Sequence, residues 1–266
     1  MTYDLLGGIE MNKVIAISNQ KGGCGKTTTA INLAVSLANK GKKVLCVDFD
    51  GQANLTMGFG FHYPDELDTN IAKMLIESIN EPSSKKPYIL NSNGVDFIPA
   101  SLELVNLENI LINVMSRENV FKNFLEPLKA NYDYIIIDCL PALNILTINA
   151  LVASDEVIIP VQGQYFSLKG LEMLIDTIYK VQRNLNKDLK IAGILFTMID
   201  GRSNFQKEAV STVLNNYGTA IKCFRNSIPV SVKVSDKQSQ GQPIVGTKNN
   251  SVGIAYDLVT EELIKG

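Results

Sequence analysis

The sequence predicts an α/β fold: one domain with a mainly parallel, twisted sheet covered by helices on both faces. Three observations predict it. Short apolar runs recur at residues 14–18, 44–49, 95–99, 134–138, 157–161 and 191–198. Stretches of helical period, at 27–39, 69–79, 118–129, 168–184 and 203–215, separate most of them. Apolar strands that alternate with helices are the pattern of a parallel sheet buried on both sides. Third, a glycine-rich turn joins the first run to the first helix. In such folds ligands bind outside the carboxyl ends of the strands.

The first strand opens after residues 1–11, which read as a flexible N-terminal leader ahead of a domain over 12–266. They have neither the basic start nor the apolar core of a signal peptide. The turn that follows runs Lys21-Gly22-Gly23-Cys24-Gly25-Lys26-Thr27-Thr28. Strand, glycine-rich turn and helix form the context in which backbone N–H groups close around phosphate oxygens. Lys26 is placed to reach the β- and γ-phosphates, and the Thr27 hydroxyl to take a position on Mg²⁺. The usual G-x-x-x-x-G-K-[ST] spacing is broken because its first glycine falls on Gln20. A second lysine, Lys21, stands at the front of the loop instead. This form resembles the deviant Walker A motif of the ParA/MinD ATPases, and the resemblance implies a P-loop NTPase domain.

The second strand ends Asp48-Phe49-Asp50, and side chains two apart in an extended chain share a side. A carboxylate there can position water or join a Mg²⁺ shell. Residues 80–94 have loop composition with two prolines and are expected to be a surface excursion. The strand at 134–138 is apolar and closes on Asp138, a Walker B layout in which the carboxylate holds Mg²⁺ through water. The tail from Tyr256 is acidic; its apolar residues are expected to pack on the sheet, not on anionic lipid.

Composition narrows the function classes. No apolar run is long enough for a membrane span. Cys24, Cys46, Cys139 and Cys223 have no C-x-x-C spacing, which argues against zinc and redox motifs and fits a reduced cytosolic protein. The single histidine, His62, leaves little room for histidine chemistry. Net charge is −2, yet between Arg183 and Lys248 there are ten Lys or Arg against four Asp or Glu. Such a bias suits a one-faced polyanion contact or a solvated mixed face.

From about Asn12 the chain resembles the ParA/Soj family of chromosome- and plasmid-partitioning ATPases along nearly its whole length. The resemblance rests on residues 19–29, which hold the loop, and on 48–56, 96–102, 132–149, 159–170 and 193–202. It implies Mg²⁺-dependent ATP hydrolysis in a homodimer that sandwiches the nucleotide. Lys21 would reach across to the partner's ATP, and Asp50 would orient the attacking water. The segment at Ile228-Pro229 would lie near the adenine. The ATP dimer would bind non-specific DNA with Arg202, Arg225, Lys233 and Lys237 as candidate contacts, and a ParB-like DNA-bound protein would stimulate turnover. The protein would then be cytosolic, on the nucleoid when ATP-bound, with no membrane partner. The chain departs from the family at Gly51, at Leu140-Pro141-Ala142, at Gln164, and at Val230-Ser231-Val232-Lys233, where two arginines are usual. Two other readings stay open: a relative that positions a protein cargo, and a nucleotide-gated DNA scaffold or repressor with negligible turnover.

Overall fold

The computed structural model describes residues 12–81, 87–163 and 167–265. The leader expected over 1–11 and Gln164 lie outside the described residues. The strands are β1 (Lys13–Ile17), β2 (Val44–Phe49), β3 (Leu90–Ser92), β4 (Val95–Ile98), β5 (Tyr134–Cys139), β6 (Glu156–Gln162) and β7 (Lys190–Thr197). They form one sheet in the order β3-β4-β2-β5-β1-β6-β7, parallel except at β3. The helices are α1 (Lys26–Asn39), α2 (Asn54–Gly58), α3 (Ile71–Asn80), α4 (Leu104–Leu111), α5 (Val120–Lys129), α6 (Ile145–Ala153), α7 (Ser167–Asn184), α8 (Asn204–Tyr217), α9 (Lys233–Ser239) and α10 (Ser251–Lys265).

Strand period two divides the core into two layers. Val14 and Ala16 of β1, with Leu45, Val47 and Phe49 of β2, face one side, where α3 to α8 pack. Ile15 and Ile17, with Val44 and Cys46, face the other, against α1 and α10. Asp48 and Asp138 fall in the second parity. They therefore lie on the α1 side, level with each other in the β2–β5 register. The tail behaves as expected: Val252, Tyr256, Val259 and Leu263 of α10 are buried against the α1 layer.

The expected excursion at 80–94 needs correction. Its end forms β3, which pairs antiparallel with β4 through Asn93 and Gly94, both at positive φ. Asn-Gly is the preferred two-residue hairpin turn, and it outweighs the loop-like composition upstream. Helices α2, α4, α6, α9 and α10 also have no counterpart among the helical stretches expected from the sequence. α6, Ile-Leu-Thr-Ile-Asn-Ala-Leu-Val-Ala, is buried along most of its length, so it has no polar stripe to mark a helical period.

Candidate functional site

The loop between β1 and α1 is shaped by glycines where shape requires them. Gly23 has φ +69° and Gly25 φ +87°, left-handed values that other residues adopt at a cost. Gly25 is also the N-cap of α1, so no side chain caps the helix and no acid occupies its first turn. An uncapped helix start beside glycines is a ready anion site. Gly22, Gly23, Gly25, Lys26, Thr27 and Thr28 line a cavity of about 510 Å³, and Asp50 also lines it. Cys24 turns inward and is buried, and burial pushes its thiol pKa up. It is a packing residue of the loop, with its carbonyl accepting from the Thr197 hydroxyl at 2.8 Å.

Both lysines are restrained, Lys26 by the loop itself and Lys21 by the end of β6. Lys26 is buried, and its Nζ donates to the Lys21 carbonyl at 3.0 Å. The Lys21 Nζ donates to Gln162 Oε1 at 3.0 Å.

The carboxylates differ sharply. Asp138, at the end of β5, is 1% exposed, and neither of its oxygens has a hydrogen-bond partner among the described residues. Burial first, and the neighbouring Asp48 charge second, push its pKa well above the ordinary range, while Thr27 and Lys26 pull the other way. A buried carboxylate with no partner costs free energy unless a cation joins it. Asp48 is equally buried but fully engaged. Its Oδ2 accepts from the Thr56 N–H at 2.9 Å and the Thr56 hydroxyl at 2.7 Å, and its Oδ1 accepts from the Asp50 N–H at 3.3 Å. Burial raises its pKa to about 7 in spite of these donors. The expected metal-side residue Asp48 thus binds α2 and the Asp50 loop. Asp50 itself is partly exposed, and its Oδ1 accepts from the Gln52 N–H at 3.0 Å.

No cluster of three or more His, Cys, Asp or Glu suited to a metal occurs among the described residues. Mg²⁺ does not need one, because it is commonly held by one or two protein oxygens, waters and substrate phosphates. The orphaned Asp138 carboxylate and the cavity-lining Thr27 fit that requirement.

A second, mostly apolar cavity of about 300 Å³ adjoins the first and shares Gly25, Thr28, Met198 and Gln238 with it. Ile228, Pro229, Val232 and Tyr256 are among its walls, so the structure brings the expected adenine segment beside the loop. The four candidate DNA contacts are more scattered. A bridge between Ile199 and Pro229 sets the Arg202 turn alongside the stretch that leads to Lys233. Arg202 is strongly exposed and paired with Asp200 at 3.2 Å. Arg225 is exposed with its N–H held by Glu262, and Lys237 donates to Gln242 at 2.7 Å.

Reading the sequence missed the residues that brace the loop. Asn19 donates to the Pro160 carbonyl at 2.6 Å and accepts from the Lys21 N–H at 3.0 Å. Gln162 donates to the Gly23 carbonyl at 2.6 Å. Both stand inside segments that carry the family resemblance, which was the available signal.

Comparison with known proteins agrees with this geometry. The AAA domain family matches residues 12–191. The sporulation initiation inhibitor protein Soj of Bacillus subtilis is 42% identical over 258 residues, 96% of this chain and all of that one. The chromosome-partitioning ATPase Soj of Treponema pallidum is 40% identical over 256 residues, 96% of this chain and 98% of that one. Among solved structures, cobyrinic acid a,c-diamide synthase from Mycobacterium smegmatis with bound ATP analog and magnesium matches with TM-score 0.81 at 30% identity, over 96% of this chain and 95% of that one.

Proposed function

We propose, because this chain belongs to the ParA/Soj family of partitioning ATPases, that it hydrolyses ATP to switch between a DNA-bound dimer and a free monomer. The observation that carries the reading is Asp138: a buried, partnerless carboxylate at the strand end beside an uncapped, glycine-shaped helix start.

Each residue then has a task. The N–H groups of Gly22 to Thr28 and the Lys26 ammonium hold the phosphates. Thr27 and Asp138 hold Mg²⁺. Bound Mg²⁺ supplies charge neutralisation on the phosphate oxygens. Asp50 orients the attacking water. Asp48 keeps the Asp50 loop in place through Thr56. The apolar cavity at Ile228 and Pro229 takes the adenine. Catalysis of this kind is positioning and charge stabilisation, with no covalent intermediate.

Lys21 completes the site of a second subunit, where it neutralises phosphate charge only while the two subunits face each other. Loss of the γ-phosphate removes that contact and favours separation. Arg202, Arg225, Lys233 and Lys237 contact DNA phosphates, so affinity falls steeply with salt. A ParB-like DNA-bound protein accelerates turnover. The protein works in the cytosol, on the nucleoid while ATP is bound. No helix among the described residues is long and apolar enough to cross a membrane.

The test is binding to a non-specific DNA duplex at one stated salt concentration, with ATP against ADP. Tight binding only with ATP, weakening as salt rises, is the expected result. Equal binding in both nucleotides, or none, would remove DNA from the reading and leave the positioning of a protein cargo as the task of the same ATPase.

A further inference from the structure

The loop's two lysines are restrained in different ways. Lys26 is closed into the loop by the Lys21 carbonyl. Lys21 instead reaches to the end of β6, where its Nζ lies 3.0 Å from Gln162 Oε1. The same amide turns its Nε2 to the Gly23 carbonyl at 2.6 Å, with Met198 Sδ at 2.9 Å. An ammonium only donates and a carbonyl only accepts. The oxygen of Gln162 must therefore face Lys21 and the nitrogen Gly23. One side chain grips the loop at two points, Lys21 and Gly23, two positions apart in the chain, with opposite chemistry at each.

We propose that Gln162 is a positioning residue that parks Lys21 on its own subunit and so sets how readily two ATP-bound subunits join. This rests on the reading above in which Lys21 acts across a dimer. The Lys21 ammonium must leave Gln162 before it can meet a partner's nucleotide, so every dimer formed gives up this contact in both subunits. The chemistry of the hold suits a catch that opens. A neutral amide binds an ammonium through one hydrogen bond, and a phosphate bearing full negative charge outcompetes it. A carboxylate at 162 would grip Lys21 with a charge-assisted bond and could not donate to Gly23. An aliphatic side chain would hold neither. Among side chains of this length, an amide alone braces the Gly23 backbone and retains Lys21 weakly enough to release it.

The experiment measures self-association by sedimentation, at saturating non-hydrolysable ATP analogue and fixed salt. It compares the unaltered protein with Gln162→Leu and Gln162→Glu. Both variants lose the Gly23 contact, so a purely structural role for Gln162 moves both in the same direction. Parking of Lys21 moves them in opposite directions. Gln162→Leu is expected to dimerise at roughly 5- to 100-fold lower protein concentration, the worth of one hydrogen bond in each of the two subunits. Gln162→Glu is expected to need a higher concentration than the unaltered protein. Shifts of the same sign, or no shift in either, overturn the proposal. Gln162→Met stands in for the leucine variant if that one does not fold. If the unaltered protein stays monomeric with the analogue, the two-subunit reading fails first and takes this proposal with it.

Discussion

Thr56 offers the sharpest test of how the site is built. Its hydroxyl is buried and donates to Asp48 at 2.7 Å while accepting from the Ala100 N–H at 3.1 Å. Thr56→Val keeps the shape and removes both bonds. A hydrogen bond to an ionised group is worth about 1.5–3 kcal/mol, and orphaning the Ala100 N–H costs about 1–3 kcal/mol more. The expected loss is roughly 3–5 kcal/mol at pH 8, a large share of a typical domain's stability. Thr56→Ser keeps both bonds and should lose no more than about 1.5 kcal/mol. The cost should also depend on pH. The Thr56 bond holds the folded Asp48 pKa down at about 7, against an ordinary 3.8. Between about 4 and 7 the carboxyl is protonated in the folded state with or without Thr56. The charge-assisted part therefore appears only as pH rises through 7. Urea unfolding of the three proteins at pH 5.5 and pH 8 checks this. A valine variant within 1 kcal/mol of the parent at pH 8, or one hurt more at pH 5.5, would show that Thr56 does not support Asp48.

Other expectations follow from the same geometry. Asp138→Asn removes a buried, partnerless charge whose folded pKa is raised, so its stability gain without metal should grow as pH rises. Thermal melts at pH 5.5 and pH 8 read this, and stabilisation by Mg²⁺ with ATP should disappear in the same variant. Lys26→Ala should weaken ATP binding at least tenfold, seen by titrating a fluorescent ATP analogue, because a buried charge-assisted contact is lost. Asp50→Ala should bind ATP yet release phosphate at least a hundredfold more slowly, as expected when a water-orienting group is removed. Preserved turnover would exclude that role. Gly241 sits at φ +65° with its would-be Cβ 2.4 Å from the Gly60 Cα, backbone against backbone. Gly241→Ala should cost about 2–5 kcal/mol in urea unfolding, from the left-handed strain and the overlap together.

Much of the site was legible because its signals are local. Glycines at forced positive φ, a lysine and threonine opening a helix, and aspartates closing apolar strands all fall within short windows. Strand boundaries read off within a residue or two for β2 and β5, where every side chain is buried and all but one in each strand are apolar. Local signals failed where burial erased the period, as in α6. They failed again at β3, whose Asn-Gly turn was hidden by proline-rich composition upstream.

The sequence by itself determined the α/β class, the phosphate loop, the two strand-end aspartates and the family. Those follow from backbone preference and from side chains a few positions apart. Only the tertiary structure separated the two aspartates. β2 and β5 align Asp48 with Asp138 in register, but Thr56 returns from α2 to satisfy Asp48, whereas among the described residues no side chain makes a full hydrogen bond to Asp138. Only the tertiary structure, too, set Gln162 against Lys21, two side chains far apart in the chain that meet because β6 lies beside β1. Which buried charge is paid for, and which lysine is held, depends on what the fold carries to that point in space; spacing along the chain does not encode it.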